Sequence, residues 1–311
     1  MITAITLNAA IDQIYEVNSL EIGGVNRIST VTKDAGGKGM NVAKVLQASG
    51  ATVDVGGFAG GANGEKICQL LTARALPNEM ISIADENRVC LTILDGSDGR
   101  GTELLESGPV ISRDEWSDML KWLDKKSKTT KWFALSGSLP EGVPSDAYKQ
   151  MINIIHLNGA KAVLDSSGHA LKLGIEAKPF AIKPNEEEIA AILGKNDLSE
   201  TDLIEAGKQF VATGIEHVCF SLGGNGALII NELGAYKITA PKIDVVNTVG
   251  SGDSFVGGLL YGFATGEDIE ATYKRAVASG TSNAMHKAIG YIEINDVEAF
   301  MDEISIVRVE E

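Results

Sequence analysis

Residues 246–255 read Val-Asn-Thr-Val-Gly-Ser-Gly-Asp-Ser-Phe, setting two glycines against one acid just before an apolar run of small residues. Gly250 and Gly252 let the backbone turn with several N–H groups pointing one way, and a helix over 252–264 adds the positive end of its dipole. With Ser251 between them, these glycines predict a cradle for an anion. A carboxylate in such a cradle repels phosphate, but it is placed to take a proton from a hydroxyl attacking that phosphate. Asp253 is therefore the candidate general base, and the plainer reading is that it caps its own helix.

A second glycine-rich helix start spans 35–46. Lys38 there is spaced to reach a phosphate, and Asn41, one turn in, to offer its amide to sugar hydroxyls. The plainer reading of Lys38 is a solvated surface charge. At 185–188, Asn185 and Glu188 stand one turn apart on a shared helix face, a spacing that suits water-mediated binding of Mg²⁺ as well as an ordinary acidic helix start. A further glycine-rich loop lies at 223–226. The two common nucleotide motifs are missing: Gly39 follows Gly37-Lys38 where a P-loop has Ser or Thr, and no G-x-G-x-x-G follows the first strand. An anion cradle with an acid, a metal-friendly acidic cluster and a glycine-rich loop are parts that phosphoryl transfer uses.

These residues need elements to hold them. Strands are predicted at 1–7, 52–58, 131–136, 160–165, 180–182 and 218–221, and helices at 63–74, 115–125, 145–157, 185–193 and 200–212. A hairpin follows at 228–230 and 235–238, and two or three helices close the chain. Strands alternating with helices of this length imply parallel β-α-β units and a three-layer α/β domain. Polar residues recur where the strands end: Asp12, Ser136, Asp165, Lys183 and Ser221. In an open parallel sheet those ends share one crevice, which predicts an enzyme. The weakly alternating stretches 12–34 and 87–107, the second with a turn at 96–99, predict a small β-sheet lid on a single domain spanning 1–311.

The chain has 311 residues and a formal net charge of -15. That charge disfavours nucleic acid and anionic membrane as partners, so an anionic ligand must be met by a few local cations. Three cysteines, Cys68, Cys90 and Cys219, are too few and too scattered for a disulfide framework and read as core. The absence of a leader or membrane-length apolar run predicts a cytoplasmic protein.

The segments 8–12, 36–43, 136–140, 183–188 and 248–253, in this order, resemble the PfkB (ribokinase-like) carbohydrate kinases over nearly the whole length, and most closely the 1-phosphofructokinase and tagatose-6-phosphate kinase branch. The resemblance implies a Rossmann-like sheet with a β lid, ATP and Mg²⁺ as cosubstrates, and a homodimer joined through the lids. It makes Asp253 the base and Gly250 to Gly252 the anion hole, and it gives Asn185 and Glu188 to the metal. Asp12, Gly37, Asn41 and Ser136 would contact the sugar, with Arg27, Lys38 and Arg88 as cations for its phosphate. Lys183, Ser221, Gly223 and Gly226 would line the ATP phosphates, with Thr248 and Asn283 nearer the nucleoside. The implied reaction is phosphorylation of a ketohexose monophosphate, first of all fructose 1-phosphate to the 1,6-bisphosphate, with tagatose 6-phosphate or fructose 6-phosphate as alternatives. A kinase of an unphosphorylated sugar or nucleoside, or a silent sugar-phosphate sensor, is more distant. Three positions depart from the usual pattern: no proline follows Asn8, Leu105 stands in place of a polar residue, and Ser251 replaces a common alanine.

Overall fold

The structure, a computed structural model, describes residues 1–97 and 101–309. From the N-terminus run β1 (Ile2–Thr6), β2 (Ala10–Val17), β3 (Thr30–Gly36), α1 (Lys38–Ala48), β4 (Val53–Ala59), α2 (Gly61–Ala73) and β5 (Asn78–Ser82). Next come β6 (Arg88–Asp95), β7 (Gly101–Leu105), α3 (Arg113–Ser127), β8 (Trp132–Ser136), α4 (Ala147–Leu157), β9 (Lys161–Asp165) and α5 (Gly168–Ile175). Then follow β10 (Ala181–Ile182), α6 (Glu186–Leu193), α7 (Glu200–Thr213), β11 (His217–Ser221), β12 (Ala227–Asn231) and β13 (Gly234–Thr239). The chain closes with α8 (Ser251–Thr265), α9 (Ile269–Ala284), α10 (Ile294–Glu303) and β14 (Ser305–Val309).

The main sheet runs β14-β13-β12-β11-β10-β9-β8-β1-β4-β5. It is parallel from β11 to β5, and β12, β13 and β14 extend it antiparallel. Its central strands read as unbroken apolar runs because helices cover both faces, as in all doubly wound sheets. Alternate residues of β1 feed opposite layers: Ile2 and Ala4 join the core under α1, α8 and α9, whereas Ile5 joins the one under α3, α4 and α7. Each fully buried Ile, Leu or Phe contributes about 1.5–3 kcal/mol to that packing.

Helix α8 shows why its sequence is so rich in small residues. A Cβ on Gly257 would sit 2.6 Å from Val45 of α1, and one on Gly258 would sit 2.5 Å from Ser279 of α9. Glycines inside a helix cost about 1 kcal/mol each, and here they permit two close helix crossings that fix the N-terminus of α8 over the sheet edge.

The lid is a four-stranded sheet, β3-β2-β6-β7, as the alternating stretches predict. Its β2–β6 pair is parallel and places Asp12 opposite Cys90, while β2–β3 is antiparallel and places Asp12 opposite Asp34. Buried Asn87 ties it to the main domain by donating to the carbonyls of Ala9 and Phe58 and accepting from the Gly60 N–H. Asp98 and Gly99 of the expected turn lie outside the described residues.

Three elements were not legible in the sequence: β5 and β14, half-exposed strands at the two edges of the sheet, and the two-turn helix α5. Short edge strands carry little apolar alternation, so the pattern is weakest where they form. Of the cysteines only Cys219 is buried; Cys68 and Cys90 are half-buried, a correction to their reading as core. Among the described residues no helix is long and apolar enough to cross a membrane.

Candidate active site

A cavity of about 810 Å³ lies along the C-terminal edge of the parallel strands, between that edge, the lid and the start of α8. Asp12, Gly37, Lys38, Asn41 and Arg88 line it on the lid side. Lys183, Asn185, Ser221, Gly223, Gly226 and Thr248 line the other side, and Gly250 to Asp253 form the wall between. Segments far apart in the chain thus converge where the strand ends predicted a crevice.

Gly250 is the N-cap of α8, with φ 83° and ψ −3°, and no side chain caps the helix. Asp253 is therefore not the cap. The Ser251 N–H donates to the Thr248 carbonyl at 3.1 Å and the Ser254 N–H to that of Gly250 at 2.8 Å. The N–H groups of Gly252 and Asp253, in the unpaired first turn, are left to meet an anion. Asp253 itself is 6 % exposed, and its Oδ2 accepts from Asn41 Nδ2 at 2.8 Å. Burial raises its carboxyl to about 6; Lys38, the Asn41 hydrogen bond and Lys183 pull it down, and the charge of Asp165 pushes it up. An acid with that affinity is ionised near neutrality yet basic enough to accept a proton.

Asp165, at the end of β9, organises the cations. It is fully buried, and its Oδ1 lies 3.4 Å from Lys38 Nζ and 3.2 Å from Lys183 Nζ. Lys38 is held charged, its ammonium raised chiefly by Asp165 and then by Asp253 and Glu188 against the cost of burial. One lysine comes from the start of α1 and the other from the loop after β10, so a single buried carboxylate fixes two positive charges beside the glycine turn. Asp12 is also raised to about 6, by burial first, with Lys44 and Arg88 lowering it and Asp34 and Glu103 raising it. Arg88 donates to the Asn8 carbonyl at 3.3 and 3.1 Å and to that of Glu106 at 2.9 Å, which stiffens the hinge between lid and domain.

Four expected site residues do not line the cavity. Arg27 is exposed in the segment between β2 and β3, off the cavity of its own chain. Ser136 is fully buried with an unpartnered Oγ. Asn283 was expected beside a nucleoside, but it is fully buried and buttresses the turn instead. It donates to the Val249 carbonyl at 2.9 Å and accepts from the Gly290 N–H at 2.9 Å and from Ser254 Oγ at 3.1 Å. Glu188 is the fourth: it closes a capping box, its Oε2 accepting from the Asn185 N–H at 2.9 Å while Asn185 Oδ1 accepts from the Glu188 N–H at 2.8 Å. No group of three or more His, Cys, Asp or Glu side chains suited to a metal occurs among the described residues. The donors present, Glu188 with Glu186 and Glu187 beside it, fit an ion held mainly by water and phosphate oxygens rather than a protein cage.

Sequence reasoning missed two features. Asp165 was visible only as one polar strand end among several, because its partners lie far away in the chain. Pro241, Ile243, Val245, Val277, Ala284 and Ile289 add apolar lining to the cavity; they come from three separate segments and have no local signal.

The chain matches the family model described as "pfkB family carbohydrate kinase" over residues 5–290. A structure described as a "putative phosphofructokinase" from Staphylococcus aureus is 33% identical, covers 100% of this chain and 99% of its own, and superposes with a TM-score of 0.85. Phosphofructokinase-2 from Escherichia coli, in complex with substrates and products, is 25% identical over 97% of this chain and 98% of its own, with a TM-score of 0.91. A "possible 1-phosphofructokinase" from Thermotoga maritima shares the fold at 20% identity, with both chains fully covered and a TM-score of 0.89.

Proposed function

Because the chain belongs to the pfkB family of carbohydrate kinases, we propose that it transfers the γ-phosphoryl group of ATP to a hydroxyl of a ketohexose monophosphate, foremost fructose 1-phosphate. The observation that carries this reading is the convergence of Asp253, Lys38, Arg88 and Asp12 on one cavity beside the Gly250 turn. In a chain of net charge -15, cations gathered beside a sugar-binding acid favour an anionic sugar over a neutral one. The names of the similar proteins, phosphofructokinases, support the same class. Tagatose 6-phosphate and fructose 6-phosphate are the alternatives.

The chemistry follows from the placement. The acceptor oxygen attacks the γ-phosphorus, the bond to the bridging oxygen of ADP breaks, and the hydroxyl proton passes to Asp253. The N–H groups of Gly252 and Asp253, with Lys183, would stabilise the charge that grows on the transferring group, while Lys38 meets the phosphate of the sugar. Mg²⁺, bound through Glu188 and Asn185 with intervening water, would neutralise triphosphate charge. The apolar lining of Pro241, Ile243 and Val245, with Val277, Ala284 and Ile289, would take the base, and the lid would shield the sugar. Half-exposed Val31 and Leu104 on the lid support a homodimer joined through it.

A coupled assay of ADP release across the three sugar phosphates, fructose and ribose tests the reading. The highest kcat/KM should fall on fructose 1-phosphate, and turnover confined to an unphosphorylated sugar rejects a phosphosugar substrate. Lys38→Ala should raise KM for the sugar phosphate roughly 10–100-fold, the worth of a charge-assisted hydrogen bond, with a smaller change for ATP. Equal effects on both substrates remove Lys38 from the sugar side.

Glu188→Gln separates the metal role from the capping box. Glutamine closes such a box almost as well, so the melting temperature should stay near wild type while half-maximal rate needs several-fold more Mg²⁺. An unchanged Mg²⁺ titration reduces Glu188 to a helix-start residue.

A further inference from the structure

Helix α1 carries a second lysine that the proposed reaction has not used. Lys44 is 6 % exposed, with its Nζ 2.8 Å from Asp34 Oδ2 and 3.2 Å from Asn41 Oδ1. Asp34, on lid strand β3, is held in turn by Arg74 through a bidentate pair at 2.8 and 2.7 Å. An ion pair with Asp34 does not require a lysine facing Asn41. The contact with Asn41 has a consequence for the base.

An asparagine amide has one accepting and one donating end, and its neighbours decide which way it points. An ammonium only donates, so the end facing Lys44 is the oxygen. The end facing Asp253 is then the NH₂, which donates to Oδ2 at 2.8 Å. That bond stabilises the ionised carboxylate, and with Oδ2 so engaged the other oxygen is left to take the proton. Without Lys44 the amide is held only by the ionised carboxylate itself, and once Asp253 is protonated it can donate to the amide oxygen, so the amide is free to turn.

We propose that Lys44 is the positioning residue of the general base, locking Asn41 in the one orientation that holds and orients Asp253. This inference rests on Asp253 being that base. The relay Arg74–Asp34–Lys44–Asn41–Asp253 also joins the lid to the centre of the reaction. The charges that act on Asp253 are Lys38 at the start of α1, Asp165 at the end of β9 and Lys183 after β10. Those around Lys44 are Asp34 on β3, Arg74 after α2 and Asp12 on β2.

The test uses the whole enzyme with saturating ATP and sugar phosphate. Lys44→Met leaves Asp34 paired with Arg74 and should lower kcat about 10–100-fold, as misplaced catalytic groups do, with KM for ATP within roughly three-fold. The acidic limb of its rate profile should move to higher pH, because both the lost hydrogen bond and the lost charge had favoured ionised carboxylates. Lys44→Gln keeps a donor toward Asn41 and should retain kcat within about three-fold, which an ion-pair role alone does not allow. A folded Lys44→Met enzyme with wild-type kcat overturns the proposal even if the limb moves, because the lost charge beside Asp12 shifts the limb by itself. If Lys44→Met does not fold, a ten-fold or larger loss in Lys44→Gln overturns it. Asp253→Asn assayed alongside keeps the two readings apart: near-wild-type turnover there removes the base itself, whereas a large loss there with none in Lys44→Met removes only the relay.

Discussion

Asp253→Asn should reduce kcat by roughly 10²–10⁴-fold while the protein stays folded. The side chain keeps its shape, and an asparagine oxygen can still accept from Asn41 Nδ2, so the local hydrogen bonding survives. What is lost is the ability to take the proton. Because burial raises this carboxyl to about 6, its ionised form is disfavoured in the folded protein. Such a group withdraws stability as pH rises from its unfolded value through 6, so above pH 6 the variant should melt no lower than wild type. The pH profile adds an independent reading. Wild-type kcat/KM should be flat above pH 7 and fall well below 6 by about ten-fold per unit for Asp253 alone, and by up to about a hundred-fold per unit where Asp12 must be ionised as well. Asp12 titrates in the same range, so a residual limb near 6 in the variant belongs to Asp12. Turnover within a few-fold of wild type from a stable Asp253→Asn protein would falsify the general-base assignment.

Gly252→Ala should lower kcat/KM for ATP by about 10–100-fold without lowering the melting temperature. Gly252 lies in the first turn of α8 with an ordinary backbone, and a Cβ there would meet only the end of Lys183, its Nζ at 3.4 Å and its Cε at 3.7 Å. The empty protein has room for that methyl, and alanine is the better helix former by up to about 1 kcal/mol. The methyl would stand between the cradle and Lys183, where a phosphoryl oxygen must approach within hydrogen-bond distance, and electrostatic stabilisation falls steeply with such displacement. Gly250→Ala provides the contrast. Its φ of +83° suits glycine, and a Cβ would lie 2.8 Å from Ile289 and 2.9 Å from the Gly290 nitrogen, so that variant should lose activity and about 1–3 kcal/mol of stability together. Measuring melting temperature and kcat/KM for both separates a glycine kept for the fold from one kept for the ligand. Wild-type kcat/KM in Gly252→Ala refutes the anion cradle at this turn.

The sequence by itself determined what depends on near neighbours along the chain. The alternation of apolar strands with helices predicts the parallel sheet, and a parallel sheet has one edge where its loops converge, which brings Lys183 and Ser221 together; Asp12 reaches the same cavity from lid strand β2 instead. The glycine turn before Asp253 was legible for the same reason, because positive φ is a property of a single residue and its immediate chain. The tertiary structure decided everything that depends on which distant side chains meet. Asp253 is oriented by Asn41, 212 residues away, and Lys38 is clamped by Asp165, 127 residues away. The face that Asn283 presents was decided by α9 packing against α8, which turned an expected nucleoside contact into a buttress. Asn185 and Glu188, one spacing with two readings, cap each other's backbones in the folded chain, and the Mg²⁺ titration of Glu188→Gln decides whether they also serve the metal. A spacing fixes only which residues share a helix face or a strand end. The charge, donor or apolar surface opposite that face is supplied by elements whose positions follow from packing the whole core.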